Sequence, residues 1–446
     1  MPLSTLPLFR GPFRPEPGTK GRVAPASKRS PGLNTHSRCL RIALLGYRSN
    51  PHCGGQGIYL RYLSQALAQL GHKVDVISGE PYPDLVPDVN LIPLPGMNLY
   101  SYSKPTQGLK DRGLHSMTDV LEYMSFISGG FPEPSAFTRR LAAYFRTYAP
   151  DYDIVHDNQS LGSGLLSLVN SGWPVVSTIH HPITRDLKLA LVNEPQWGMR
   201  LLIRRWHRFL AMQKKVAPRL NRTLTVSTQS QKDLIQDFGL QPEKIDVVLN
   251  GVDTEAFAPQ PGIQRIPHRI MATASADVPL KGLIYLLKAI DRLTAEFPDL
   301  ELVVLGRPKA NGPTARFLDQ TDLHRHVRFM HGLSTEELAL EYAKAGLAVV
   351  PSLYEGFGLP AAEAMACGVP VVATEAGGLP EVVGNAGCIV PPADAAALAA
   401  VIKSLLRHPE SLSSLGLAGR QRMLSKFTWK RAAEETVGVY RKVIED

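Results

Sequence analysis

Two carboxylates, Glu355 and Glu363, stand eight positions apart in the stretch YEGFGLPAAEAMACGVPVVAT. Gly356, Gly358 and Pro360 lie between them. The apolar run VVPS just upstream reads as a strand, so Glu355 sits on the loop at that strand's C-terminal edge, where open α/β sheets bind ligands. Pro360 suits the first turn of a helix, where its missing N–H would have no partner anyway. The glycines let backbone come close to a ligand, and a helix N-terminus behind them completes an anion site. Glu363, at the end of the first helical turn, can accept two hydrogen bonds from a cis-diol such as a ribose, and Glu355 can reach other hydroxyls. A ligand with a diphosphate and several hydroxyls, such as a sugar nucleotide, uses every part of this arrangement. A lone acid near a helix N-terminus would gain only ~0.3–1 kcal/mol from the dipole, and that reading leaves the glycines unexplained.

Other residues carry weaker signals. CGGQG (Cys53 to Gly57) does not fit G-x-G-x-x-G, so a nicotinamide fingerprint is poorly supported, and Gly54 and Gly55 read at least as a tight turn. TIHHPITRD places His180 and His181 at a strand end, with no third ligand at metal spacing, which argues against zinc. Asp151-Tyr-Asp153 is formally a D-x-D, but it precedes a strand and reads as a loop. NGVD (Asn250 to Asp253) reads as a structural turn. Arg200 to Arg222 holds eight basic residues and an apolar stripe of Leu202, Trp206, Phe209 and Val216. Such a stripe packs on a domain core with its charges in water; peripheral membrane contact is the alternative.

The string Glu355-Gly-Phe-Gly-Leu-Pro-Ala-Ala-Glu363 resembles the E-x7-E signature of retaining GT-B glycosyltransferases, the family 4-like, group 1 enzymes that include bacterial mannosyl- and glucosyltransferases and sucrose synthases. MACGVPVVATEAGGLPEVV is similar to that family's continuation, and the likeness extends over most of residues 40–440. It implies that Glu355 meets the donor sugar's hydroxyls, that Glu363 holds the ribose, and that backbone amides around Gly356, Phe357, Gly358 and Leu359 meet the sugar and diphosphate. Gly54 and Gly55 would approach the donor phosphate and the acceptor. His180, with His181 as the alternative, would touch the donor sugar. SADVPLKG resembles the family's G-R-x5-K-G stretch, in which Lys281 matches the lysine that neutralises the leaving diphosphate. Ser275 stands where the family has arginine, which removes a bidentate phosphate contact; Arg185 and Arg307 are the candidates to replace it. The implied activity is transfer of a sugar from a nucleoside-diphosphate sugar to an acceptor hydroxyl with retention, with no cofactor or metal. The departure at Ser275 keeps open a catalytically impaired sugar-nucleotide-binding or regulatory protein of the same fold.

These residues need two sheets to position them. Leu40 to Ser49, the helical IYLRYLSQALAQL and Lys73 to Ser78 form a strand–glycine loop–helix–strand order, hence a parallel sheet. Tyr152 to Asp157, Pro174 to His181 and Leu224 to Thr228 continue it, whereas residues 80–135 are rich in Pro and Gly and resist assignment. After a linker (APQPGIQRIPH) a second α/β run opens at RIMATAS. The expected architecture is α/β of GT-B type: two Rossmann-like domains facing a central cleft, with a C-terminal helix returning to the N-terminal domain. The expected boundaries are a disordered basic extension at 1–38, an acceptor-side domain at 39–228, a nucleotide-sugar domain at 229–426 and the helix at 427–446.

Composition agrees with that frame. A chain of 446 residues exceeds one ordinary core. Of its net charge of +9, residues 1–38 carry +6, from seven basic residues against Glu16, so the remainder is near neutral and nucleic acid is not an expected partner. The four cysteines are scattered, which suggests a reducing, cytoplasmic compartment, with the inner membrane face as a peripheral variant.

Overall fold

The computed structural model describes residues 38–50, 55–273, 277–310 and 312–445. All of the basic extension but Arg38 lies outside the described residues, as do Gly54 and Ser275.

Among the described residues thirteen parallel strands make two sheets. The first holds β1 (Arg41–Gly46), β2 (Lys73–Ser78), β3 (Asn90–Pro93), β4 (Ile154–Asn158), β5 (Val175–Ile179), β6 (Arg222–Thr225) and β7 (Ile245–Val247). Its order is β3-β2-β1-β4-β5-β6-β7. The second holds β8 (Ile266–Ala272), β9 (Glu301–Leu305), β10 (Val327–Met330), β11 (Ala345–Val350), β12 (Val371–Thr374) and β13 (Cys388–Val390), in the order β10-β9-β8-β11-β12-β13. β4, β5 and β11 are buried at every position, because helices cover both faces of a parallel sheet; β11 is apolar throughout, whereas β4 and β5 bury the polar residues His156, Asp157, Asn158, Ser177 and Thr178 as well. The two sheets are those of the GT-B fold.

Helix Gly55–Gln69 and the C-terminal helix Trp429–Glu445 cover one face of the first sheet, packing Leu60, Leu63 and Leu67 with Trp429, Ala433 and Tyr440 over Ile42 and Leu44. The last helix of the chain therefore completes the core of the first half. Its apolar side chains recur at helical spacing, from Trp429 through Ala433 and Val437 to Tyr440.

Three expectations need correction. The first sheet runs past position 228: β7 pairs in parallel with β6, Thr223 opposite Ile245, so the first half includes the segment read as the start of the second. The region 80–135 contains β3 and helices Pro105–Arg112 and Met117–Ile127; the latter opens on Ser116, whose side chain accepts from the Asp119 N–H at 3.2 Å. The basic segment forms two helices, Trp197–Trp206 and Phe209–Val216. Phe209 and Val216 are buried, but Leu202 is 47% exposed, so the apolar stripe is covered over only its second half.

Candidate functional site

Adjacent strands deliver the chemistry. In the second sheet β8 and β11 are neighbours whose outgoing chains wind to opposite sides; Lys281 follows β8 and Glu355 follows β11. In the first sheet β1 and β4 stand in the same relation; Gly55 follows β1 and Asn158 ends β4. Such reversals of strand order open a crevice at the carboxyl edge of a sheet.

Lys281 Nζ lies 2.6 Å from Glu355 Oε1, and the same oxygen accepts from Ser352 Oγ at 2.8 Å. Backbone fixes the pair from both sides. The turn Pro279–Lys281 accepts the Leu353 N–H on Leu280 O at 2.7 Å, and the Gly378 N–H donates to Glu355 O at 2.9 Å. Gly377 has φ +60°, and a Cβ there would overlap the Glu355 carbonyl oxygen. That position demands glycine on both counts.

Glu363 lies on helix Leu359–Ala366, which opens on Gly358 at φ 110° with Pro360 in its first turn. Its carboxylate is nearly buried, with 9% of the residue exposed. Tyr342 OH stands 3.5 Å from Glu363 Oε2, 3.3 Å from Pro360 O and 2.7 Å from Thr273 Oγ1. Burial pushes the carboxyl up to about 8, against the opposing effect of the Tyr342 hydroxyl. One long hydrogen bond leaves most of this carboxylate's acceptor capacity unused.

The two halves meet at the same place. The Gly356 backbone lies so close to His180 O that a Cβ would overlap it. Ser227 Oγ donates to Gly356 O at 2.7 Å, and Ser230 Oγ to His180 O at 3.3 Å. A Cβ built on Gly55 would lie 3.9 Å from the Leu359 side chain, so the start of helix Gly55–Gln69 comes up against the helix that carries Glu363. Phe357 puts its ring into the core, 5.9 Å from that of Phe427, and offers the crevice backbone alone.

The histidine pair divides. His180 Nε2 lies 2.7 Å from Asn158 Oδ1, its N–H donates to Gln159 Oε1 at 2.7 Å, and its ring stands edge-on to Tyr59 at 4.7 Å. Burial, with His181 beside it, lowers its pKa to about 3, so the ring is neutral. His181 Nε2 instead lies 3.0 Å from Asp186 Oδ2. Arg185 is engaged in the first half, donating to Asp233 Oδ1 at 2.7 Å, and Arg307 lies 2.6 Å from His331 Nε2. Asp153 accepts the Arg41 N–H at 2.8 Å, and Asp151 pairs with the Arg41 side chain, in keeping with a structural loop. Among the described residues no group of three or more His, Cys, Asp or Glu is arranged to hold a metal ion, and no helix is long and apolar enough to cross a membrane.

Sequence reasoning missed Asn158, Gln159, Ser227, Ser230 and Tyr342. The first two carried a signal: HDNQS turns an apolar strand abruptly polar just where the strand order reverses. The others act through contacts distant in sequence.

Residues 264–422 match the family Glycosyl transferases group 1, and residues 53–256 match Glycosyltransferase Family 4. The chain is 47% identical over 409 residues to the MMP alpha-(1->4)-mannosyltransferase of Mycolicibacterium hassiacum, covering 91% of this chain and 98% of that protein. Its fold is similar to that of sucrose-phosphate synthase from Thermosynechococcus elongatus, with a TM-score of 0.68 at 24% identity over 91% of this chain and 99% of that one. It is also similar to Anabaena Alr3699/HepE, solved with UDP, with a TM-score of 0.64 at 17% identity over 90% and 100%.

Proposed function

Since the chain belongs to the group 1, family 4 glycosyltransferases and is an enzyme of glycosyl transfer, we propose that it moves a hexosyl unit from a nucleoside-diphosphate sugar to an acceptor hydroxyl with retention at the anomeric carbon. Mannose is the unit favoured by the likeness to the Mycolicibacterium enzyme, and a nucleoside-diphosphate donor is supported by UDP in the HepE structure. The observation that carries the proposal is the Lys281–Glu355 pair, held beside the N-terminus of helix Leu359–Ala366.

Each member of that ion pair offsets the charge of the other. A donor diphosphate draws Lys281 onto its β-phosphate and releases Glu355 to the sugar's hydroxyls. As the bond from the anomeric carbon to the phosphate oxygen breaks, negative charge grows on that oxygen, where Lys281 and the backbone N–H groups of residues 357–359 stabilise it. The acceptor oxygen bonds to the anomeric carbon from the face the phosphate leaves, and the phosphate oxygen takes the acceptor's proton. Glu363 receives the ribose hydroxyls, and neutral His180 holds a hydroxyl of the donor sugar.

GDP-mannose, UDP-glucose and ADP-glucose tested by thermal shift and by slow hydrolysis without acceptor decide the matter. One of them is expected to raise the melting temperature and to be hydrolysed. Binding of none sinks the reading, whereas binding with no hydrolysis selects the impaired, regulatory alternative that Ser275 suggests.

A further inference from the structure

Outside the crevice the first half carries a groove of about 260 Å³ between helices Met117–Ile127, Glu133–Tyr148 and Phe209–Val216. Phe131, Phe209 and Met212 form its apolar floor, and Arg139, Arg205 and Arg208 stand around it. None of these three arginines has a carboxylate partner among the described residues. Arg205 donates to Ser128 Oγ at 2.6 Å, and no ion pair is formed by Arg139 or Arg208. The contrast is next door: Arg140 is matched by Asp119 and Glu122, each at 2.5 Å. Glu122 borders the groove but is 4% exposed and committed to Arg140. Three positive charges thus border an apolar concavity with no carboxylate paired to them, Arg205 half-buried and Arg139 and Arg208 exposed. Guanidinium groups so placed select phosphate or carboxylate, through planar, bidentate hydrogen bonds.

Gln213, next to Met212, donates to Ser160 O at 3.2 Å, and its neighbour Gln159 holds the His180 N–H at 2.7 Å and the His181 carbonyl at 2.9 Å. One short polar chain therefore connects the groove to the residues placed at the donor sugar.

We propose that this groove is an anion subsite for the acceptor, taking a phosphate or carboxylate that the acceptor bears while the apolar floor covers the body of the molecule. This rests on the reading of the first half as the acceptor side. The test is calorimetric binding of mannose, mannose 6-phosphate and mannuronate to the whole enzyme, with inorganic phosphate as competitor. The two acidic sugars are expected to bind at least about tenfold more tightly than mannose, with a preference that weakens as salt rises. R139Q and R208Q should remove that preference and R208K should restore part of it, at unchanged melting temperature. Equal binding of acidic and neutral sugars, or a preference that survives both glutamine variants, overturns the proposal. Co-sedimentation with phosphatidylglycerol vesicles that is lost in R139Q and R208Q, without discrimination among the sugars, also overturns it and reassigns the arginines to a membrane surface. If no nucleotide sugar binds the wild-type enzyme, the glycosyl-transfer site fails while the sugar comparison still reads the groove.

Discussion

At Glu363 burial and function pull in opposite directions. A carboxyl raised to about 8 by burial is largely protonated at neutral pH, yet a ribose diol donates best to the ionised form. Nucleotide binding should therefore release a proton, and affinity should fall as pH drops below about 8, while E363Q should lose that pH dependence. Replacing a charged acceptor by a neutral one costs about 1.5–3 kcal/mol, or roughly ten- to a hundredfold in Kd, measured by titration calorimetry in buffers of different ionisation enthalpy. Unchanged affinity in E363Q would remove the ribose assignment. Lys281 invites a separate test. It and the helix N-terminus supply the positive charge at the leaving phosphate, so K281A should lower donor hydrolysis by about 10²–10³-fold while wild-type turnover persists in EDTA. Turnover lost on chelation and restored by Mg²⁺ or Mn²⁺ would mean that a cation does this work.

The elements that hold these residues depend on local backbone more than on apolar area. Gly377 combines φ +60° with close approach to Glu355 O, and the Gly378 N–H completes the clamp. G377A should cost about 1–3 kcal/mol, lower the melting temperature and weaken donor binding together; a variant of normal stability and affinity would show the clamp to be dispensable. Local patterns of this kind are what made the site legible: glycines, a first-turn proline and two acids state their geometry within nine residues, and Lys73 to Ser78 reads as a strand from its own composition. What escaped was non-local. β7 is three residues long and becomes a strand by pairing with β6. Helix Met117–Ile127 leaves Met117, Leu121, Met124 and Ile127 exposed, so its apolar spacing does not announce a buried face. Nothing in the sequence near Glu363 announces Tyr342, and nothing near His180 announces Asn158.

At the scale of the molecule, titration of buried groups sets a pH window for stability. His156 is wholly buried, lies 2.5 Å from Tyr440 OH and 2.7 Å from Thr178 Oγ1, and thereby ties the C-terminal helix to the first sheet. Burial lowers its pKa from 6.5 to about 3. Between those values the unfolded chain binds the proton and the folded chain does not, so stability is full above 6.5 and falls on acidification. Glu363, raised from 4.5 to about 8, acts in the other direction: the folded chain keeps the proton longer, and stability falls as pH rises across that interval. Each slope reaches at most about 1.4 kcal/mol per pH unit. Between 4.5 and 6.5 these two contributions oppose one another, so the loss due to His156 shows below that range and the loss due to Glu363 above it. E363Q should flatten the decline toward pH 8 and leave the decline toward pH 3 intact, as read from melting temperatures across pH 3–9. Y440F strips His156 of its partner in the C-terminal helix and should cost about 1–3 kcal/mol at every pH without changing the alkaline slope. If E363Q melts with the same pH profile as the parent, the carboxylate is already ionised in the ligand-free enzyme, and donor binding must then proceed without the release of a proton.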